Sequence, residues 1–116
     1  MIELIRADQY TKMLWKNGAG FTLEIARSQG DTDFEWRISM ADVTNSGPFS
    51  LFPNKQRIIS VLDGQGMVLH VDDLPAKTLN QGDIFAFDGE SQVQSELVGG
   101  AIRDLNLIYD PAKYHV

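Results

Sequence analysis

The stretch RIISVLDGQG, Arg57 to Gly66, decides how the rest of this chain is interpreted. Its β-branched and aliphatic residues favour a half-buried strand. Gly64 and Gly66 follow, and glycine supplies the positive φ that a tight reversal needs. Residues 67–71 then resume the apolar pattern. The stretch therefore predicts a β-hairpin with an apolar body.

Short extended segments lie on both sides of this stretch, separated by Gly, Asn, Asp and Pro. Residues 21–28 alternate, with Phe21, Leu23 and Ile25 on one face, which predicts a strand with one buried side. Further strands are predicted at residues 35–43, 57–62, 67–71, 77–79, 84–87, 92–98 and 102–109, with short extended segments at 1–6 and 49–53. Closely spaced short strands predict an all-β fold, a sandwich or barrel.

The composition limits the classes of function. The 116 residues correspond to one domain, 1–116, with 43% hydrophobic residues. No cysteine is present, which excludes disulfides, thiolate zinc sites and a cysteine nucleophile. The net charge of −6 and the lack of a basic block argue against nucleic acid and anionic membranes as partners. With no signal peptide and no apolar run of membrane-spanning length, we expect a cytoplasmic protein.

Two blocks resemble the strand skeleton of small metal-binding β-barrels of the cupin class. Gly64 ends the first block, and the run GDIFAFDG at residues 82–89 forms the second. In that class the position of Arg57 carries a metal-binding glutamate, and the position of Gln92 carries a histidine. The remaining histidine positions fall on Ser50 and Phe52, or on Leu51 and Pro53.

The metal ligands of that class are replaced at all these positions. The chain has only two histidines, His70 and His115, and neither falls on a ligand position. A divalent metal site needs three or four converging imidazole or carboxylate groups. The sequence therefore predicts no metal and no other cofactor.

Arg57 suggests a different chemistry for the interior. A guanidinium presents a planar fork of donors that matches a carboxylate, and a buried arginine needs an anion. One hypothesis is a pocket for a small carboxylate, with Gln92 and Ser50 as neutral hydrogen-bonding neighbours. The alternative is a structural ion pair between Arg57 and Glu24, Asp83 or Asp104.

Other residues are candidates for the same pocket. Arg37 and Ser39 lie opposite the Trp36 face of their strand, and Arg37 is a second candidate for binding. The loop from Trp15 to Gly20, with Lys16 and Asn17, is a candidate wall or lid. Three further polar residues interrupt the last strand: Arg103, Asp104 and Asn106. Trp15 and Trp36 are interpreted as core residues.

The order of several blocks resembles the HutD/Ves family of cupin-like proteins. The blocks are WKNGAG at 15–20, FEWRIS at 34–39, GPFSLFP at 47–53, Arg57, and Arg103-Asp104-x-Asn106. The resemblance implies a bicupin-like β fold with no established catalytic activity and no known metal. HutD proteins are associated with histidine utilisation, with a suggested role in sensing a pathway carboxylate, and Ves proteins with cold and stress response. Family members are usually longer, so the chain is expected to cover the first half of a bicupin.

These observations lead to one predicted function and two alternatives. The prediction is a metal-independent regulatory protein that binds a small anionic metabolite, a formate-like or formylglutamate-like carboxylate. A homo-oligomer is also expected, because open sheet edges invite pairing. The alternatives are a metal-free isomerase or lyase of the cupin type, with Glu24 as its acid or base, and a structural interaction module.

Overall fold

The computed structural model describes residues 11–15, 18, 20–28 and 34–114. Within these residues the chain forms ten strands and no helix. The strands are β1 (Thr11–Leu14), β2 (Gly20–Arg27), β3 (Trp36–Val43), β4 (Gly47–Pro48), β5 (Gln56–Asp63), β6 (Met67–Val71), β7 (Lys77–Leu79), β8 (Ile84–Asp88), β9 (Val93–Leu97) and β10 (Ile102–Tyr109). No helix of the described residues is long and apolar enough to cross a membrane.

The strands form two antiparallel sheets. The large sheet has the order β1-β2-β3-β10-β5-β8, and the small sheet has the order β4-β9-β6-β7. From β3 onward the chain moves back and forth between the two sheets, so that strands distant in sequence lie side by side. This winding is that of a jelly roll, and the all-β, cupin-like fold is confirmed.

The Gly64–Gly66 turn does not form the predicted hairpin. β5 pairs with β10 and β8, whereas β6 pairs with β7 and β9, so the turn carries the chain from one sheet to the other. A Cβ atom on Gly66, at φ 98°, would lie 2.3 Å from the carbonyl oxygen of Leu79. The glycines allow a sharp corner at which the chain leaves the large sheet after β5 and enters the small sheet at β6.

The core lies where the two sheets face each other. The large sheet contributes Val43, Ile59 and Val61, and the small sheet contributes Met67, Leu69 and Leu79, all at most 1% exposed. Burial of each such side chain contributes about 1.5–3 kcal/mol. The apolar stretch that predicted the fold therefore supplies one side of the core, and residues 67–71, which follow it, contribute to the other side.

The apolar face of β2 is not the interior face. The register pairs Thr22 with Ala41 and Glu24 with Ser39, and Ala41 and Ser39 are buried. Paired residues share a face of the sheet, so Thr22 and Glu24 point inward. The predicted single buried side is therefore wrong, since Phe21 and its apolar neighbours on β2 are only half-buried. A register shift between Glu24 and Ala26 further interrupts the alternation.

The other side of the large sheet is correspondingly apolar. Leu105 and Leu107 of β10 pair with Met40 and Ile38 of β3, and all four are half-buried. The polar residues of these strands thus lie inside, and part of the apolar set lies outside. In this part of the large sheet, polar residues face the interior and apolar residues face outward, which is the reverse of the usual arrangement.

The predicted strand bounds agree closely for most segments. Residues 67–71, 77–79 and 102–109 match the observed strands, and the remaining ones differ by one or two residues at an end. The segment 49–53 is not a strand, because β4 ends at Pro48. The expected segment at 1–6 lies outside the described residues.

We expect Gly66→Ala to destabilise the fold more than Gly100→Ala. Both glycines have positive φ, 98° and 113°, so the backbone strain of the two substitutions is similar. A Cβ atom on Gly100 would meet nothing within 4 Å, whereas one on Gly66 would clash with the Leu79 carbonyl. The difference should be about 1–3 kcal/mol in the unfolding free energy, measured by urea denaturation. Equal losses in the two variants would contradict the corner geometry.

Candidate functional site

A cavity of about 550 Å³ lies between the sheets at the end where polar residues point inward. Its polar lining comes from Thr22, Arg37, Ser39, Ser50, Arg57, Asp104 and Asn106. Its apolar lining comes from Met13, Leu14, Trp15, Ala41, Pro48, Phe49, Phe52 and Ile108. Leu14 and Ser50 are exposed, so the cavity reaches the surface. A site of this volume suits a small organic molecule.

Arg57 brings a guanidinium into the wall of this cavity. It lies on the inward face of β5 and is 7% exposed. Its Nη2 donates to Asn106 Oδ1 at 3.1 Å, and its Nη1 donates to the Ser50 carbonyl oxygen at 3.3 Å. Its Nε is buried without a hydrogen-bond partner. Arg57 therefore has an unused donor at a site where an unpaired buried donor is costly.

Three phenyl rings surround the guanidinium. Arg57 Cζ lies 4.9 Å from the ring centroid of Phe87, 5.2 Å from that of Phe52 and 5.4 Å from that of Phe49. Cation–π attraction partly replaces the lost hydration. Burial lowers the pKa of Arg57 to about 10, so the side chain stays protonated at neutral pH. The cavity wall therefore carries a fixed positive charge.

Asn106 connects Arg57 to a buried acid. Its amide oxygen accepts from Arg57, and its Nδ2 donates to Asp104 Oδ1 at 2.6 Å. Asp104 is 1% exposed. Burial raises the pKa of Asp104 to about 7, against the opposing effects of Asn106 and Arg57. The acid is therefore partly protonated at neutral pH, and it neutralises Arg57 only when ionised.

Arg37, the second arginine of the cavity, already has a partner. Its Nε lies 3.1 Å from Glu24 Oε1 in an ion pair without the alignment of a hydrogen bond, and both side chains are 14% exposed. Burial lowers the pKa of Arg37, and the Glu24 carboxylate opposes this effect. The same Glu24 oxygen lies 3.6 Å from Arg27 Nη1. Arg37 is therefore a poorer anchor for an external anion than Arg57.

The structure brings together some of the predicted site residues. Arg57, Arg37 and Ser50 all line the cavity, although Ser50 contributes its backbone carbonyl to Arg57. Trp15 also lines it and donates from Nε1 to Thr22 Oγ1 at 2.8 Å. Lys16 and Asn17 lie outside the described residues.

Gln92 lies elsewhere. It is exposed in the connection between β8 and β9, and its backbone N–H donates to Asp72 Oδ1 at 2.8 Å. The spacing of metal-binding barrels placed it beside Arg57, but the connection here follows the small sheet and turns its side chain away from the cavity lining. This prediction of a shared pocket is corrected by the geometry.

Of the three predicted ion-pair partners of Arg57, only Asp104 interacts with it. Asp83 is exposed and accepts from the backbone N–H of Asn80, and Glu24 pairs with Arg37. Asp104 interacts with Arg57 electrostatically and through Asn106. Trp36, predicted to be in the core, is half-buried.

The phenyl enclosure was not predicted from the sequence. Phe49 and Phe52 come shortly before Arg57 in the sequence, and Phe87 of β8 is the residue paired with Arg57 of β5. The sequence signal was an aromatic cluster close to an arginine on an apolar strand, but pairing with Phe87 depends on the register.

His70, by contrast, is a surface residue with its Nε2 2.6 Å from Glu96 Oε1. Within the described residues, no group of three His, Asp or Glu side chains is arranged to hold a metal ion.

A jelly roll with a cationic, aromatic-walled interior cavity defines a cupin-like domain. The model of one family, HutD, matches residues 7–116. The chain therefore belongs to the HutD family.

Relatives support this assignment and show that the chain is shorter than they are. An uncharacterised 21.2 kDa protein in the hutC 3′ region of Pseudomonas putida is 55% identical over 97% of this chain and 60% of its own length. Protein Ves of Citrobacter koseri is 40% identical over 82% of this chain and 51% of its own length. The chain thus spans about half the length of these curated relatives.

Solved structures show the same fold. HutD from Pseudomonas fluorescens SBW25, in a formate condition, matches with a TM-score of 0.88 and 50% identity, over 92% of this chain and 59% of that chain. A conserved protein with a double-stranded β-helix domain from Klebsiella pneumoniae matches with a TM-score of 0.67 at 12% identity, over 95% and 91% of the two chains. The second match shows the fold alone.

We expect the unfolding free energy to fall as the pH rises from about 5 to about 7. The pKa of Asp104 is raised in the folded state, so its stabilising contribution is complete below its unfolded value of 3.8 and is lost as the pH rises through about 7. The loss should approach about 1.4 kcal/mol per pH unit. Asp104→Asn should remove this slope in urea denaturation at several pH values.

Asp63→Asn is the matched control, because Asp63 is exposed on β5 and does not line the cavity. This variant should keep the wild-type slope. A slope that survives in Asp104→Asn would show that another group is responsible.

Proposed function

We propose that this chain binds a small carboxylate in the cavity, with Arg57 as the anchor. The observation that carries the proposal is the guanidinium itself, which is buried in the wall of a 550 Å³ cavity with its Nε unpaired. A carboxylate would satisfy this donor and supply a counter-charge. Arg37, paired with Glu24, and the Ser50 segment shape the same cavity without competing for the ligand charge.

The size of the cavity supports an organic anion of metabolite size. Formate would occupy a small fraction of 550 Å³, whereas a formylglutamate-like carboxylate would fill more of it. The apolar residues near the opening, Leu14 and Phe49, suit the aliphatic part of such a molecule. The formate condition of the P. fluorescens HutD structure is consistent with a carboxylate as the ligand.

We further propose that the binding serves regulation in the cytoplasm. The matches to HutD and to protein Ves make histidine utilisation and stress response the two candidate contexts. The absence of cysteine fits a reducing compartment. Self-association through β1 or β8, the edge strands of the large sheet within the described residues, is part of the same proposal.

The two alternatives receive less support from the geometry. Glu24, the acid or base of the enzymatic alternative, is engaged by Arg37 and is not among the residues lining the cavity. An interior filled with side chains would favour a purely structural module, and here a polar cavity is present. Binding without turnover is therefore the function that we propose.

We expect Arg57→Met to weaken formate binding by about tenfold to a hundredfold. The substitution removes the charged donors, which contribute about 1.5–3 kcal/mol, and keeps an apolar side chain against the three phenyl rings. Formate affinity would be measured by NMR titration at pH 6. Circular dichroism and a urea titration would show that the variant stays folded.

The matched control is Arg103→Met. Arg103 lies on β10, outside the cavity lining, and donates to both carboxylate oxygens of Asp42 at 2.6 and 3.0 Å. This variant loses an arginine at another site and should bind formate as the wild type does. Undiminished binding by folded Arg57→Met would reject Arg57 as the anchor.

A further inference from the structure

Asp104 faces the same cavity as Arg57 but has no role in the binding described above. It lines the cavity, it is 1% exposed, and its Oδ1 accepts from Asn106 at 2.6 Å. An acid buried so deeply beside an anion site must affect the charge that the site can accept.

We propose that Asp104 is a specificity-determining residue that takes up a proton when a carboxylate binds at Arg57 and then donates a hydrogen bond within the site. This inference rests on the proposed carboxylate function. It adds that the cavity accepts an anion together with one proton, so that binding weakens as the pH rises above neutral.

Charge balance is the first argument. Arg37 is paired with Glu24 at 3.1 Å, and Arg27, which shares that carboxylate, does not line the cavity, so Arg57 and Asp104 are the remaining charged pair of the lining. When Asp104 is ionised, the pair is neutral, and an added carboxylate would be an unpaired buried charge. When Asp104 is protonated, Arg57 lacks a counter-charge, and one carboxylate restores neutrality. The ligand and the Asp104 carboxylate are therefore alternative partners of the same guanidinium.

Hydrogen-bond matching is the second argument. Asn106 is already used on both sides, because its oxygen accepts from Arg57 and its nitrogen donates to Asp104. The unpaired donors of the wall are then the Nε of Arg57, the Nε of Arg37, which forms an ion pair but no hydrogen bond with Glu24, and, in the protonated state, the O–H of Asp104. All are donors, and a carboxylate is a group that only accepts. Ionised Asp104 would instead place a carboxylate, which only accepts hydrogen bonds, against the carboxylate of the ligand.

The charged groups around Asp104 set the range in which this coupling operates. Arg57 of β5 favours the ionised form, while burial and Asp42 of β3 favour the protonated form. Arg37 of β3, with Glu24 of β2, lies on the same side of the large sheet. The small sheet adds Ser95 as a buried polar residue and no buried ionisable one among the described residues. Lys55 is buried but does not line the cavity.

The balance places the transition near neutral pH, since the pKa of Asp104 is about 7 in the free protein. A bound anion would raise it further, because a like charge disfavours ionisation. Arg57 keeps its proton up to a pH of about 10, so its charge does not change in the range of interest. Thermodynamic linkage then requires affinity to fall by up to about tenfold per pH unit above about 7.

The test is a series of NMR titrations with formate at pH 5.5, 6.5, 7.5 and 8.5. Formate is ionised throughout, so a change in affinity reports on the protein. We expect similar dissociation constants at the two lower pH values and a rise approaching tenfold between pH 7.5 and 8.5. Asp104→Asn, whose amide donates as the protonated acid does, should bind formate with an affinity that does not depend on pH.

The control and the outcomes distinguish this inference from the function on which it rests. Asp63→Asn should keep the wild-type pH dependence. Formate binding with a constant affinity from pH 5.5 to 8.5 overturns the role of Asp104 and leaves the carboxylate function intact. No formate binding at any of these pH values overturns both.

A second measurement covers the case in which Asp104→Asn does not fold. The carboxyl carbon of Asp104 in the wild-type chain can be followed by ¹³C NMR with and without saturating formate. At pH 7.5 we expect its resonance to move toward the protonated position on addition of formate. An unchanged titration curve, with formate bound, would overturn the proposal.

Discussion

The charge of Arg57, held between two sheets, is the constraint on which the site depends. A guanidinium at this depth needs compensation, and the structure supplies it from several sources: three phenyl rings, one backbone carbonyl and the amide of Asn106. None of them is a full counter-charge. Asp104, the acid connected to Arg57 through Asn106, is kept partly protonated at neutral pH by its own burial. The cavity is therefore a site whose charge is left incomplete by the fold.

This constraint explains the unusual polarity of the large sheet. In a simple sandwich, the apolar residues of a strand face inward and the polar ones face solvent. Here Glu24, Ser39 and Asn106 face inward at one end of the sheet, while Ile38 and Leu107 lie on the opposite face. In the same rows of the sheet, Asn106 pairs with Ile59 and Asp104 pairs with Val61, and both of these β5 residues lie in the core. One sheet thus combines a core and a polar chamber along the same strands.

The sequence predicted the strands better than it predicted their faces and partners. Alternation located β2, β3 and β9 because it depends only on local spacing, and the apolar residues after Arg57 correctly indicated the centre of the core. The inward face of β2 was misassigned because polarity was used to choose it, and a polar chamber reverses that rule. The expected hairpin became a corner because glycine geometry permits both, and only the pairing of β5 with β10 and of β6 with β9 decides between them.

The sequence likewise identified part of the candidate site and missed the rest. Arg57 could be found because it occupies the position of the metal-binding glutamate in cupin barrels, and Asp104 and Asn106 because they interrupt an apolar strand. Gln92 was misplaced because its position was taken from the spacing of metal-binding barrels, where a histidine side chain must reach the centre. The phenyl enclosure could not be found, since Phe87 reaches Arg57 only through the register of β5 with β8.

One wall of the cavity belongs to the strand with the weakest support in the large sheet. Among the described strands, β1 is four residues long, lies at the edge of the large sheet and is hydrogen-bonded to β2 alone, yet Met13 and Leu14 line the cavity. Edge segments of this kind open at a small fraction of the free energy that global unfolding requires. A molecule seated against Met13 would slow the fraying of this rim. Ligand binding in the cavity would therefore make this edge strand more rigid where it faces other molecules, with no hinge motion and no change of fold.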